Sequence, residues 1–373
     1  MRSGALGITR RRTIAAGVGL LAGLAVWPFT RQTLDEFAIR AQPLRFDIIP
    51  FRVDTVCCDQ SLFNVVRRRL QLRPEMTLSD LLHWLRIFGN SASIEFQRQT
   101  SREVLELVTN GNRIEERFGQ RGVIVRTRDG VRYLSRLGGV DLVAASRPAH
   151  PYQELAVFAE LGLPSSTAIV TADGDFTVRD LMQDCLSNLQ LREADRQEPE
   201  WATVAIAHYL TPTSTWTNRW GEELSVEKWT GFLVRRDISR FSCGGTHVLH
   251  SLGLLLQLHS RHPFMNCQLL DKVRNTCRDL FNEIESSQAP NGAFPRPATI
   301  ALQASGIDWD IHITGHILES LLYFPDDLRI SNVSVLRGLR FLAEAYRRST
   351  DSDVSKNYCT YSHSGQVLLK LDL

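Results

Sequence analysis

From Thr246 to Leu258 and again from Ile311 to Phe324 the chain is apolar at most positions, too densely for a helix with a solvent face. A helix that is apolar all round is buried on most sides. Both stretches therefore predict inner helices, and both start on small residues and histidine: Gly244-Gly245-Thr246-His247 in one, Thr314-Gly315-His316 in the other. Between them lie a helix with one polar face and the segment Gln288-Ala289-Pro290-Asn291-Gly292-Ala293-Phe294. This segment predicts a turn in which Gly292 is free to take positive φ. Inner helix, outer helix, glycine turn and inner helix in succession predict a helical barrel.

The rest of the chain extends the pattern. Residues 31–56 predict a linker that becomes extended through Arg45–Val53, followed by helices over 60–71 and 78–88. Thr77 and Asp80 have the spacing of a capping box, and a further helix is expected from Ser101. Alternation on both sides of Asp129-Gly130 predicts one β-hairpin over 123–134. After a boundary at 137–149 the pattern is helical: Gln153–Leu161, a capping box at Thr177 and Asp180, and an inner-type helix through Glu200–Leu210. Trp216, Trp220 and Trp229 follow, with Ser225 as a cap, and either fill the core between outer helices or line a cavity. An outer helix is expected over 334–348 and a last inner helix from Ser362. Segments starting at His247, His316 and Gln366 are weakly self-similar, as expected of helix pairs arranged in a ring. The organisation expected is residues 1–30 as an export signal or anchor, 31–149 as an N-terminal helical portion with the hairpin, and 150–373 as the barrel.

The Gln288-x-x-Asn291-Gly292-x-Phe294 turn resembles the Gln-x-x-Asp-Gly-x-Trp turn of squalene and other terpenoid cyclases. It is also similar to the corresponding turns of protein prenyltransferase β subunits. Asn291 and Phe294 stand where that family has Asp and Trp. The resemblance covers roughly residues 150–373 and implies an all-α fold, an α/α-toroid. It implies no cyclase activity, because neither Asp-x-Asp-Asp nor Asp-Asp-x-x-Asp occurs: Asp308-Trp309-Asp310 continues with Ile311, and Asp326-Asp327 with Leu328-Arg329-Ile330.

Charge and targeting signals change the picture mainly at the N-terminus. A net charge of +2, from 43 basic and 41 acidic residues, gives no basis for a nucleic-acid partner. Arg10-Arg11-Arg12 precedes an apolar run from Ile14 to Phe29, the order of a bacterial export signal. A twin-arginine signal, a general secretory signal and a short uncleaved membrane anchor all fit that order. The expectation is a periplasmic or inner-membrane-anchored protein. Seven cysteines, including vicinal Cys57-Cys58, form no Cys-x-x-Cys pair and no disulfide framework.

In a toroid the inner helices run parallel, so their N-termini meet at one mouth. Cys243, His247, Asp308, Asp310, His312, His316 and His363 would gather there, beside positive helix-dipole ends. Cys, His and carboxylate together are the ligand types of zinc, and the prenyltransferases hold zinc on an Asp, a Cys and a His near inner-helix starts. The expected ligands are Cys243, Asp310, His312 and His316, although the family's Asp-x-Cys spacing is missing because Phe241 precedes Cys243 by two. Thr246, His247, Trp309 and His363 are expected around the pocket. Asp308, Asp310 and Glu319 are the carboxylates able to serve as general acid and base. Two functions of different class follow: a metal-dependent enzyme acting on a small or lipid-like ligand, or a non-catalytic envelope binding or scaffold protein. No serine-hydrolase elbow, His-Glu-x-x-His or phosphate loop is present.

Overall fold

The computed structural model describes residues 39–51, 59–89, 95–135, 144–192, 198–238, 242–294 and 307–371. The Ile14–Phe29 run and Cys57-Cys58 lie outside these residues. Among the described residues no helix is long and apolar enough to cross a membrane.

The fold is all-α, with fourteen helices and three two-stranded hairpins among the described residues. Six helices carry the interior: α2 (Leu78–Phe88), α5 (Gln153–Leu161), α7 (Pro199–Tyr209), α9 (Thr246–Arg261), α11 (Ile307–Leu321) and α14 (Tyr358–Lys370). Every residue of α7 is buried, as is Thr246–Leu258 of α9 and Ile311–Leu321 of α11. Each of the six packs on the next in chain order, and α14 packs back on α2. The contacts thus return to their start. Outside them lie helices with a single apolar stripe. α10 (Cys267–Ser286) buries only Val273, Cys277, Phe281 and Ile284, and α12 (Asn332–Arg348) packs on α11 and α14. α1 (Gln60–Arg69) lies against α12 and α14, and α3 (Glu95–Val108) against α2. Helices on both sides of residue 150 therefore share one set of contacts.

Local chemistry sets the helix starts as the sequence suggests. The capping boxes Thr77/Asp80 and Thr177/Asp180 are both formed, the second opening α6 (Val178–Asn188). Ser225 caps α8 (Val226–Leu233) by accepting from the Lys228 amide at 3.1 Å. The expected hairpin is β1 (Ile124–Arg126) with β2 (Val131–Tyr133), Ile124 opposite Tyr133. Two more hairpins accompany it: β3 (Ala168–Thr171) with β4 (Gly174–Thr177), and β5 (Thr215–Thr217) with β6 (Glu223–Ser225). Their strands are too short to alternate visibly, and β4 buries no residue fully. Each of these two ends on the capping residue of the next helix. α3 and α14 begin earlier than expected, at Glu95 and Tyr358. Of the three clustered tryptophans, Trp216 and Trp229 are core, whereas Trp220 is exposed.

The glycine turn locks an outer helix to an inner one. Gln288 Nε2 donates to the Gly292 carbonyl at 2.9 Å and to the Ser334 carbonyl at 2.8 Å, and Phe294 N donates to Thr314 Oγ1 at 2.9 Å. Gly292 has φ +94°, and a Cβ there would lie 2.3 Å from the Arg337 carbonyl oxygen. Both constraints require glycine. At the other end of the inner helices, residues 39–51 form a strap rather than a free linker. Arg40 N donates to the Tyr209 carbonyl, Leu44 N to that of His208 and Ile49 N to that of Leu322. Gln257 of α9 clasps Asp47 by accepting from its amide at 3.1 Å and donating to its carbonyl at 2.9 Å.

α11 comes close to α14 at Gly315, where an added Cβ would sit 2.7 Å from Ser364 N and 3.0 Å from Ser364 Cα. Gly315→Ala should therefore lower stability by roughly 1–3 kcal/mol, the usual range for overpacking against backbone. Urea denaturation checks this. An unchanged midpoint would mean that the two helices are not in contact there.

Candidate metal centre at the ring interior

The inner helices contribute polar side chains in two layers. The layer toward their C-terminal halves is an ion-pair network around Arg86 of α2. Arg86 Nε lies 2.5 Å from Glu160 Oε2 of α5, and Nη2 lies 3.0 Å from Glu160 Oε1 and 2.8 Å from Glu319 Oε1 of α11. His250 of α9 approaches Glu160 at 3.2 Å. Glu319 also accepts from His363 Nδ1 of α14 at 2.6 Å, and from Gln366 at 2.8 Å when the Gln366 amide is oriented by its neighbours. Burial by itself would raise the Glu319 carboxyl, but Arg86 and then His363 outweigh it and hold the group well below the usual carboxylate range. Burial likewise opposes the charge of Arg86, which Glu160 and Glu319 restore. A buried charge persists when it is paired and its remaining lone pairs are satisfied, and this network meets that condition.

The second layer is built of imidazoles on the N-terminal side. His247 of α9, His316 of α11 and His363 of α14 each bring a ligand nitrogen to within 4.8 Å of the others, and all three are buried. Hydrogen bonds fix the tautomers of His316 and His363. His316 Nδ1 donates to the His312 carbonyl at 2.8 Å, and His363 Nδ1 donates to the Glu319 carboxylate. Their Nε2 atoms therefore carry lone pairs, and neither these nor His247 Nε2 has a hydrogen-bond partner among the described residues. Burial, reinforced by the nearness of His363, lowers His247 and His316 well below the ordinary histidine value. Burial also lowers His363 on balance, although Glu319 acts the other way. Neutral imidazole with Nδ1–H on a carboxylate is the form that ligates metal through Nε2.

Further groupings adjoin this one. Cys243 lies with His150 and His247 in one and with His312 and His316 in another, while His83 and Cys359 group with His363. His83 Nδ1 donates to the Ser79 carbonyl at 2.7 Å, which turns Nε2 toward Cys359 Sγ at 3.6 Å. Tryptophans back two of these rings: Trp309 stacks on His312 at 4.9 Å and Trp201 on His150 at 5.6 Å.

The expected site residues are therefore partly gathered. Cys243, His312 and His316 come together as expected of metal ligands, and His247 and His363 join them rather than only lining a pocket. Asp310 is half-buried, its carboxyl raised by burial, and belongs to none of these groupings. Asp308 is exposed and accepts from Asn357 Nδ2 at 3.3 Å, away from the histidines. Glu319 is fully engaged with Arg86 and His363, which makes it an orienting group. Thr246 is buried and donates to the Cys243 carbonyl at 2.9 Å. The sequence reading passed over His83, Arg86, His150, Glu160 and Cys359. A usable signal was present for Glu160, a charged residue inside the mostly apolar Gln153–Leu161 helix, whereas Ser79, Asp80, His83 and Arg86 have the spacing of one polar face and read as solvent-facing. Comparison with family models, curated proteins and solved structures found no match to this chain.

Two outcomes test the electrostatics. Arg86→Leu leaves Glu160 and Glu319 buried without their cation, and should cost about 3–5 kcal/mol of stability in denaturant titration. A loss below 1 kcal/mol would contradict the network. The second concerns pH in metal-free protein. Unfolded histidine protonates near 6.5, whereas burial keeps His83, His247 and His316 lower still and His208 at about 4. The unfolded chain thus binds more protons below 6.5, so stability is full above 6.5 and falls as pH drops toward the folded values. Glu154, pushed up to about 8 by burial, has the opposite sign between 4.5 and 8. Four histidines outweigh one carboxyl, so the urea midpoint should fall from pH 6.5 to 5, and more steeply in Glu154→Gln. A flat midpoint would show that the histidines are not buried neutral.

Proposed function

We propose that the chain is an α/α-toroid whose interior binds a divalent transition-metal ion on His247, His316 and His363, and that the bound ion acts on a small ligand. What supports the toroid is the cycle of contacts from α2 through α5, α7, α9 and α11 to α14 and back, with single-stripe helices outside. The two polar layers support a common direction for the inner helices. On α9 and α11 the imidazole-layer residues His247 and His316 each lie three positions N-terminal to the network's His250 and Glu319.

The observation that carries the metal reading is the convergence of three buried imidazoles whose Nε2 atoms have no hydrogen-bond partner among the described residues, two of them fixed as lone pairs by their Nδ1 bonds. Leaving a buried polar nitrogen unsatisfied costs about 1–3 kcal/mol. A cation satisfies all three. Zinc fits the donor set, and three protein nitrogens leave one tetrahedral position for water or ligand, as in catalytic rather than structural zinc sites. An ion so held would polarise a carbonyl or acidify a water.

The chain's own residues have definable tasks. Glu319 holds the His363 ring in orientation and raises its basicity as a ligand. Arg86 keeps Glu319 ionised, so the network below the metal is a positioning device. The inner-helix N-termini favour developing negative charge on the side away from that network. Trp309, stacked on His312, and Trp201, stacked on His150, add apolar faces beside the imidazoles, which suits a small ligand with an apolar portion.

Elemental analysis of the purified chain after zinc loading tests the reading. His247→Ala, His316→Ala and His363→Ala should each lose one equivalent, and Asp310→Ala should lose none. Folded histidine variants that retain the wild-type content would refute it.

A further inference from the structure

His363 belongs to a second grouping besides the inner set, and that grouping contains a sulfur. His83 of α2 and Cys359 and His363 of α14 bring one ligand atom each to within 4.8 Å of the others. Cys359 and His363 are four positions apart, which puts them one turn apart on one face of α14. α2 packs on that helix and supplies His83, whose ring meets the His363 ring edge-on with centroids 5.0 Å apart.

The spacing of the first two ligands is that of atoms sharing an ion. His83 Nδ1 is committed to the Ser79 carbonyl, so Nε2 carries the lone pair, and it lies 3.6 Å from Cys359 Sγ. The thiol hydrogen bridges that gap. Bonds of about 2.3 Å to sulfur and about 2.0 Å to nitrogen, at a trigonal or tetrahedral angle, span roughly 3.5–3.7 Å between the two ligand atoms. An ion can therefore take the place of the thiol proton without moving either atom. His363 supplies the third ligand through Nε2, because Glu319 holds its Nδ1 and Nε2 has no hydrogen-bond partner among the described residues. Two imidazoles and one thiolate are the trigonal ligand set of copper sites, and a thiolate favours soft copper(I). The inner set, all imidazole, suits zinc. One lone pair binds one ion, so the two sets cannot both be filled through His363.

We propose that His83, Cys359 and His363 form an alternative metal position that takes copper(I), and that filling it expels zinc from the inner set by capturing His363. The competition rests on the three-histidine reading, whereas the copper position stands on its own three ligands. Binding forms a copper–sulfur bond, breaks the S–H bond and releases the proton to solvent, with no change in the oxidation state of the copper. His83 and His363 are buried and Cys359 is half-buried, so the thiol is the accessible edge of the position.

Copper(I), added anaerobically to the zinc-loaded protein, is the probe, read by metal content and by X-ray absorption at the copper edge. One copper should bind and one zinc leave per chain, with one sulfur and two nitrogens around the copper. Cys359→Ser should weaken copper binding tenfold or more and remove the sulfur, whereas Cys243→Ser should keep both. His83→Gln should weaken copper tenfold or more and leave zinc loading unchanged, which separates the position from the inner set. Copper without a sulfur ligand in the wild type, or with one that persists in Cys359→Ser, overturns the proposal. Copper bound at this position with the zinc retained overturns the competition for His363. If the chain takes no zinc but binds copper on one sulfur and two nitrogens, and loses it in Cys359→Ser, the inner reading fails and the copper position stands.

Discussion

The ring interior depends on a buried carboxylate, Glu319, being kept ionised by Arg86. Few side chains are costlier to bury than a charged carboxylate, and this one is 2% exposed. Arg86 at 2.8 Å, His363 at 2.6 Å and Gln366 occupy its lone pairs, so its charge is both balanced and hydrogen-bonded. That in turn fixes His363 as the Nδ1–H tautomer. The direction in which the His363 lone pair faces is thus decided on α2, a helix with no part in the imidazole layer except His83.

The fold serves this arrangement in two ways. Helices without polar faces can only be placed where other helices surround them, and the polar residues they carry must then face one another. The strap over residues 39–51 closes the ends of α7, α9 and α11 with backbone hydrogen bonds and the Gln257 clasp. Charged groups near that end are removed from solvent, where their mutual attraction is stronger. The imidazole layer lies on the other side, below Cys243 and the two tryptophans. Gly315 and Gly292 supply the close approaches that hold α11 against α14 and α12.

Much of this was legible in the sequence, for identifiable reasons. Dense apolar runs at 246–258 and 311–324 separate inner from outer helices, and paired Thr and Asp mark helix starts, because burial and capping are local in their demands. Cys243 and His312 could be grouped because each lies toward the start of an inner helix, and His316 because it follows His312 by one turn. Asp310 shares that position along the chain, but its side chain lies on another face of α11, and helix phase cannot be fixed from spacing to a catalytic tolerance. Arg86 and Glu160 were missed because their partners are 233 and 74 positions away, on helices whose adjacency only the closed set of contacts defines. The two short hairpins escaped because three or four residues do not establish a period.

The central claim is that three neutral histidines on α9, α11 and α14 form the first ligand set of a metal at the ring interior. Anomalous diffraction at the zinc edge from crystals of the zinc-loaded protein tests it most directly. The account requires a peak within bonding distance of Nε2 of His247, His316 and His363, with Glu319 still on His363 Nδ1. Zinc found only on surface residues, or an interior in which those three Nε2 atoms hydrogen-bond to ordered water alone, would contradict it.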